Sequence, residues 1–264
     1  MSGRTQEEKG AAFRAMHAGE PFLIPNPWDA GAARVLAALG FRALATTSSG
    51  FAFTLGSIDG SVALDEVAAH VRTLAAVTDV PLSVDLEHGY GREPADAARA
   101  VARVAEAGAV GGSIEDYDPG GELYPLPFAA ERVAAATEAA RALGFPFTLT
   151  ARAENHIRGN PDLDDTIARL RAYEEAGADV LFAPGLRSEA EIRAVCEAVS
   201  RPVNVLALPM LSVEAIVSAG AQRISVGGGL TWMAVEAMAA AAERMRDTAS
   251  HTARISSAER TPWS

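Results

Sequence analysis

The chain has 264 residues, 49% hydrophobic and 22% charged, with a formal net charge of −11. That is enough for one large α/β barrel or two ordinary domains around a sizeable core. The acidic balance argues against a nucleic-acid or anionic-membrane surface, and no apolar run is long enough to span a bilayer. The polar start, Met1 to Gly10, lacks a signal-peptide core, so a cytoplasmic location is expected.

Short β-like runs alternate with longer Ala-rich helical segments. In chain order the runs are 22–25, 43–47, 82–87, 111–115, 147–152, 180–183, 203–207 and 223–226. The helical patterns between them cover 30–39, 64–77, 94–107, 129–143, 163–176, 189–199, 213–219 and 231–246. Gly40, Gly108, Gly144, Gly177 and Gly220 stand where helices should stop. Eight such alternations predict an α/β fold of the (β/α)8 TIM type, with 1–248 as a single barrel domain and 249–264 as a polar tail. A doubly wound open sheet is the other topology this pattern allows. No GxGxxG or P-loop motif follows a strand, so neither dinucleotide nor P-loop binding is supported, and Gly227-Gly228-Gly229 reads as a tight turn.

Barrel chemistry sits at the C-terminal ends of the strands. The polar residues there are, in order, Asn26 and Asp29; Thr47, Ser48 and Ser49; Asp85, Glu87 and His88; Glu115 and Asp116; Arg152, Glu154, Asn155 and His156; and Asn204 on the seventh strand. The most informative stretch is Pro81-Leu-Ser-Val-Asp85-Leu-Glu87-His88-Gly89-Tyr90-Gly91. Alternation along the strand puts Asp85 and Glu87 on one face, and His88 on the other if the strand continues. Adjacent carboxylates repel unless a positive charge lies between them. With Glu115 at the next strand end, they suggest a hard divalent cation, Mg2+ first and Mn2+ as its substitute. The plain alternatives are a solvated strand end for the acids, a helix cap for Asp116, a turn for Thr47–Ser49, and for Arg152 a structural salt bridge with Glu154 or Asp179.

Single residues narrow the chemistry further. Cys196 has no cysteine partner for an internal disulfide, and Lys9 is the one lysine, in the polar N-terminal segment. Schiff-base and pyridoxal chemistry need a lysine in the active site, which leaves a metal as the electron sink.

The ordered motifs carry a family resemblance. Asp85-x-Glu87-x-Gly-Tyr-Gly resembles the Asp-x-Asp-x-Gly-Tyr-Gly element of the isocitrate lyase / phosphoenolpyruvate mutase superfamily. Pro25-Asn-Pro-Trp-Asp29 with Gly40-Phe41 is similar to its first βα unit, and Thr47-Ser48-Ser49 through Asp59 to its substrate loop and gating aspartate. Ile114-Glu115-Asp116, Thr150-Ala-Arg152-Ala-Glu154 and Glu175-Ala-Gly-Ala-Asp179 match later elements, and the resemblance spans about residues 10–245. It implies a barrel whose last helix is swapped between subunits of a homodimer or homotetramer, and Mg2+ chemistry on 2-oxo acids beside an enolate. By position it implies a metal site at Asp85, Glu87 and Glu115, with Asp85 nearest the ion and the two glutamates acting largely through water. It implies substrate binding by Thr47, Ser48, Ser49, Asp85 and Arg152, and Asn204 joins them as a polar residue of the seventh strand. Arg152, Asp59 and Glu115 are the expected catalytic residues.

The departures from the family pattern restrict this. The lyases carry a Lys-Lys-x-Cys-Gly-His-like loop after the strand-four acid, where this chain has Asp118-Pro-Gly-Gly-Glu-Leu-Tyr124-Pro-Leu-Pro127, without lysine or cysteine. That argues against isocitrate and 2-methylisocitrate lyase activity and leaves Tyr124 as a conceivable substitute for the cysteine. The Lys-x-Asn-type loop of the phosphonopyruvate enzymes is missing too. The expected activity is a Mg2+-dependent lyase or decarboxylase that cleaves a C–C bond of a small 2-oxo (di)carboxylate such as oxaloacetate. The alternatives are P–C chemistry of the phosphonopyruvate mutase or hydrolase kind, and a non-catalytic 2-oxo acid binding protein.

Overall fold

Every apolar run predicted to be a strand is one, most of them a residue or more shorter than predicted. The strands are β1 (Phe22–Ile24), β2 (Leu44–Ala45), β3 (Leu82–Asp85), β4 (Gly111–Glu115), β5 (Thr148–Arg152), β6 (Val180–Phe182), β7 (Val203–Leu206) and β8 (Arg223–Ser225). They are parallel and ordered β1-β8-β7-β6-β5-β4-β3-β2. A bond from the Ala45 N–H to the Pro25 carbonyl, 3.1 Å, joins the two ends. The computed structural model describes residues 3–247 as a (β/α)8 barrel. The proposed tail at 249–264 lies outside the described residues.

The predicted helices appear as α2 (Ala30–Ala38), α4 (Leu64–Val77), α5 (Pro94–Glu106), α6 (Leu126–Ala142), α7 (Leu163–Glu175), α8 (Glu189–Ala198), α9 (Val213–Ser218) and α10 (Gly229–Asp247). Their small residues allow close packing: Ala97, Ala100, Val101 and Val104 of α5 are fully buried, as is Ala136 of α6. Each such valine contributes about 1.5–3 kcal/mol by leaving water.

Two helices were not anticipated. The first, α1 (Gln6–Met16), is held by a capping box between Thr5 and Glu8 and closes the N-terminal end of the barrel. Phe13 is its fully buried anchor, in a small cluster with Phe22, Ile24, Ala43 and Val110. Close approach requires glycine on both sides: a Cβ at Gly10 would lie 2.2 Å from the Pro146 carbonyl, and one at Gly111 would lie 2.7 Å from the Phe13 ring. Lys9 sits on this helix, 3.4 Å from Asp79, at the end of the barrel opposite the strand C-termini. The second unanticipated helix, α3 (Ser48–Thr54), begins in the Thr47-Ser48-Ser49 segment, with the Thr47 hydroxyl accepting from the Gly50 N–H at 3.3 Å.

The barrel interior is more polar than such interiors usually are, since branched apolar side chains normally fill them. Ser83, Thr148, Thr150, Asn204, Arg223 and Ser225 are all buried. The last helix differs in another way: Trp232, Met233, Met238 and Met245 of α10 are exposed. Among the described residues no helix is long and apolar enough to cross a membrane.

Candidate active site

At the C-terminal ends of the strands lie two adjoining chambers of about 230 and 400 Å³. Ser48, Asp59 and Arg152 line both. The inner chamber also takes in Thr47, Ser49, Asp85 and Asn204, and the outer one Glu87, Glu115, Tyr117 and Arg158. Every residue expected in the metal, substrate or catalytic set therefore lines one chamber or the other.

The β2–β3 side of the rim carries three carboxylates. Strand β3 ends at Asp85, whose N–H donates to the Thr46 hydroxyl at 2.9 Å. The Asp85 carboxylate accepts from the backbone N–H of Ser48 at 3.4 Å and of Glu87 at 3.3 Å. The strand does not continue as expected. Glu87 has φ +48° and Tyr90 φ +58°, left-handed values that non-glycine residues rarely adopt. Strand alternation therefore ends before Glu87, where the chain turns: Asp85 lines the inner chamber and Glu87 the outer one, and both line a small cavity beside Tyr90. His88, expected on the opposite face, lines the outer chamber as well.

Glu87 accepts a hydrogen bond from the Tyr90 hydroxyl at 3.1 Å. Burial, and then the charges of Asp85 and Asp59, push its carboxyl up to about 7. Asp59 is exposed on the loop between α3 and α4. No arginine, lysine or histidine forms an ion pair with Asp59, Asp85 or Glu87 among the described residues.

The β4–β5 side balances its charges. Glu115 lies 3.4 Å from Arg152 and 3.5 Å from Arg158. Burial raises its carboxyl well above the usual range, while Arg152 opposes that shift. Arg152 also donates through Nε to Glu154, which is fully buried and accepts from Arg158 at 2.9 Å. The Arg152 guanidinium stands over the Phe182 ring at 5.3 Å, and that of Arg158 over Tyr117 at 4.0 Å. The salt-bridge alternative for Arg152 therefore holds with Glu154 without removing it from the cavity. Asp179 instead accepts from the Leu149 N–H at 2.9 Å.

Asp116, His156 and Tyr124 line neither chamber. Asp116 turns away from the chambers, receiving the Tyr173 hydroxyl and Arg169 at 2.9 Å. His156 is buried with Nδ1 3.4 Å from the Thr166 hydroxyl. Tyr124 is a correction: it lies under Arg132, whose guanidinium is 4.7 Å from its ring, and lines neither chamber. Cys196 sits on α8, its thiol pushed up to about 11 by burial. Sequence reasoning missed Tyr90, Tyr117, Arg158 and Arg223. Only Arg223 left a signal, a charged residue two positions before Ser225 in an apolar strand.

Among the described residues no three His, Cys, Asp or Glu side chains converge closely enough to enclose a metal ion. Of the expected set, Glu115 is held by two arginines, while Glu87 lines the outer chamber and shares a small cavity with Asp85. The donor chemistry still suits Mg2+, which binds through one or two carboxylates and keeps several waters. Asp85, with Glu87 and Asp59 nearby, supplies oxygen donors and uncompensated negative charge where such an ion would be held.

The model of the phosphoenolpyruvate phosphomutase family matches residues 13–246. A curated oxaloacetate decarboxylase from Rhodopseudomonas palustris is 31% identical over 86% of this chain and 79% of its own. A 2-methylisocitrate lyase from Bacillus subtilis is 31% identical over 77% of this chain and 68% of its own. Among solved structures, a candidate lyase/mutase from Burkholderia cenocepacia J2315 superposes with a TM-score of 0.90 at 49% identity, over 93% of this chain and 91% of that one.

Proposed function

The chain belongs to the phosphoenolpyruvate phosphomutase family, a member of the isocitrate lyase / phosphoenolpyruvate mutase superfamily, and from that premise we propose that it is a Mg2+-dependent enzyme cleaving a C–C bond of a small 2-oxo (di)carboxylate such as oxaloacetate, as a lyase or decarboxylase. One observation carries the reading: the unpaired carboxylates around Asp85 share a cavity with the hydroxyls of Thr47, Ser48 and Ser49 and with Arg152. An anionic substrate would otherwise be repelled by those carboxylates.

Asp85, supported by Glu87 and by Glu115 through water, would hold the ion. A bound Mg2+ would supply positive charge for the oxygen of a developing enolate. The chain's own residues do the rest. Thr47, Ser48 and Ser49 offer hydroxyls to the substrate carboxylate. Arg152 is kept rigid by Glu115, Glu154 and the Phe182 ring, and it pairs with negative charge on the substrate. Asp59, on an exposed loop that lines both chambers, would cover the site and exclude water.

A panel of 2-oxo and 2-hydroxy acids with Mg2+, followed by proton NMR, tests this. At least one member should be cleaved, with turnover abolished by EDTA. Phosphonopyruvate turnover seen by phosphorus NMR without cleavage of any panel acid would move the activity to P–C chemistry. Tight binding without turnover would make the chain a binding protein.

The assembly is part of the same reading. The exposed Trp232, Met233, Met238 and Met245 are apolar side chains along α10 that a second copy of the chain would cover, as a homodimer or homotetramer. M233E should shift the molecular mass by light scattering toward the monomer; an unchanged mass would refute the role of this helix.

A further inference from the structure

Below the rim, the inner chamber ends at a cation that neither side of the site accounts for. Arg223 is 4% exposed, and its side chain lines the chamber. Its Nε donates to Asn204 Oδ1 at 2.8 Å, one terminal nitrogen donates to the Thr150 hydroxyl at 2.9 Å, and the other lies 3.3 Å from His17 Nε2. All three partners are neutral. His17 has its Nδ1 on the Phe13 carbonyl at 2.8 Å, and burial and Arg223 lower its pKa to about 3. No carboxylate pairs with Arg223 among the described residues, and burial alone acts on it, lowering its pKa to about 9.

A guanidinium has five N–H donors, so two remain after these contacts. An uncompensated buried cation is among the costliest groups a core can hold. Here it lines a cavity whose polar wall includes the hydroxyls of Thr46, Ser83, Ser113 and Ser225, beside apolar residues such as Ile24, Val84 and Leu206. If Arg223 served only to tie α1 to the barrel through His17, it would need neither a cavity nor this hydroxyl lining.

We propose that Arg223 is a second anion subsite, taking the far carboxylate of a dianionic substrate whose 2-oxo acid end lies at Thr47, Ser48, Ser49 and Arg152. This rests on the 2-oxo acid reading of the cavity and names its substrate class as dicarboxylates. Asn204, expected to touch substrate, lines the same chamber and holds the guanidinium in place through its side-chain oxygen, while donating to Ser225 at 3.0 Å.

The test is calorimetry of the full chain with Mg2+, comparing pyruvate and 2-oxobutyrate with oxaloacetate and 2-oxoglutarate. The wild type should bind one dicarboxylate at least about 30-fold more tightly than the monocarboxylates, the scale of a lost buried ion pair. R223Q should erase that preference while leaving monocarboxylate binding unchanged, and R223K should restore part of it. An unchanged preference in R223Q would overturn the proposal. If the wild type binds none of the four acids, the 2-oxo acid reading fails separately, and melting curves with succinate and bromide decide the subsite. Anion stabilisation of the wild type that is lost in R223Q supports it; equal response of the two proteins overturns it.

Discussion

The two sides of the rim solve opposite electrostatic problems. On the β4–β5 side, Glu115 and Glu154 face Arg152 and Arg158, and every charge has a partner within 3.5 Å. On the β2–β3 side, Asp59, Asp85 and Glu87 lie without an ion pair, and burial, followed by the charges of Asp85 and Asp59, raises the Glu87 carboxyl. The first side is complete within the chain. The second lacks a positive charge, so it is the side that binding should change. Substitutions should separate accordingly: on the balanced side they should damage folding and function together, and on the unbalanced side function alone.

D85A is the sharpest break. It should lower turnover of whichever panel acid is cleaved by about 10²–10³-fold, the scale of losing one preorganised electrostatic group. Its urea midpoint should stay at or above that of the wild type, because the change removes repulsion. A strongly destabilised D85A would mean that Asp85 is structural.

R152M should reduce both properties. Glu115 and Glu154 would lose a partner while remaining buried, at a cost of about 3 kcal/mol in denaturant unfolding, and substrate turnover should fall as well. E87Q comes next. The amide can still accept from Tyr90, so folding should be unaffected or slightly improved, while the Mg2+ concentration giving half-maximal activity should rise about 10–100-fold, as for other groups that support a metal ligand. Equal Mg2+ dependence in E87Q and wild type would remove Glu87 from the metal side.

How much of this was legible follows from which forces act locally. Asp85, Glu115 and Arg152 could be read because each ends an apolar run, and the barrel brings all strand ends to one face. The turn at Glu87 could not, since glutamate carries no signal for positive φ and the glycines at 89 and 91 come later in the chain. Helix α3 was hidden because Ser48, Ser49 and Gly50 are poor helix formers that read as a loop. Helix α1 was hidden because Gly10 and Phe13 are its only buried residues. Arg223 and Arg158 take their meaning from partners distant in sequence, or on an irregular loop, and periodicity does not reach such contacts.

Arg158 gives the smallest expected effect and the finest test of the comparison. It is 40% exposed, stands over Tyr117, and shares both Glu115 and Glu154 with Arg152. If the balanced side works as a network, Arg152 alone can hold the two carboxylates when Arg158 is gone. R158Q should then cost about 1 kcal/mol or less in unfolding, as partly exposed pairs do, and turnover should fall only a few-fold. A loss as large as that of R152M would show that Arg158 touches the substrate in the outer chamber, making both sides of the rim binding surfaces and ending the contrast between them.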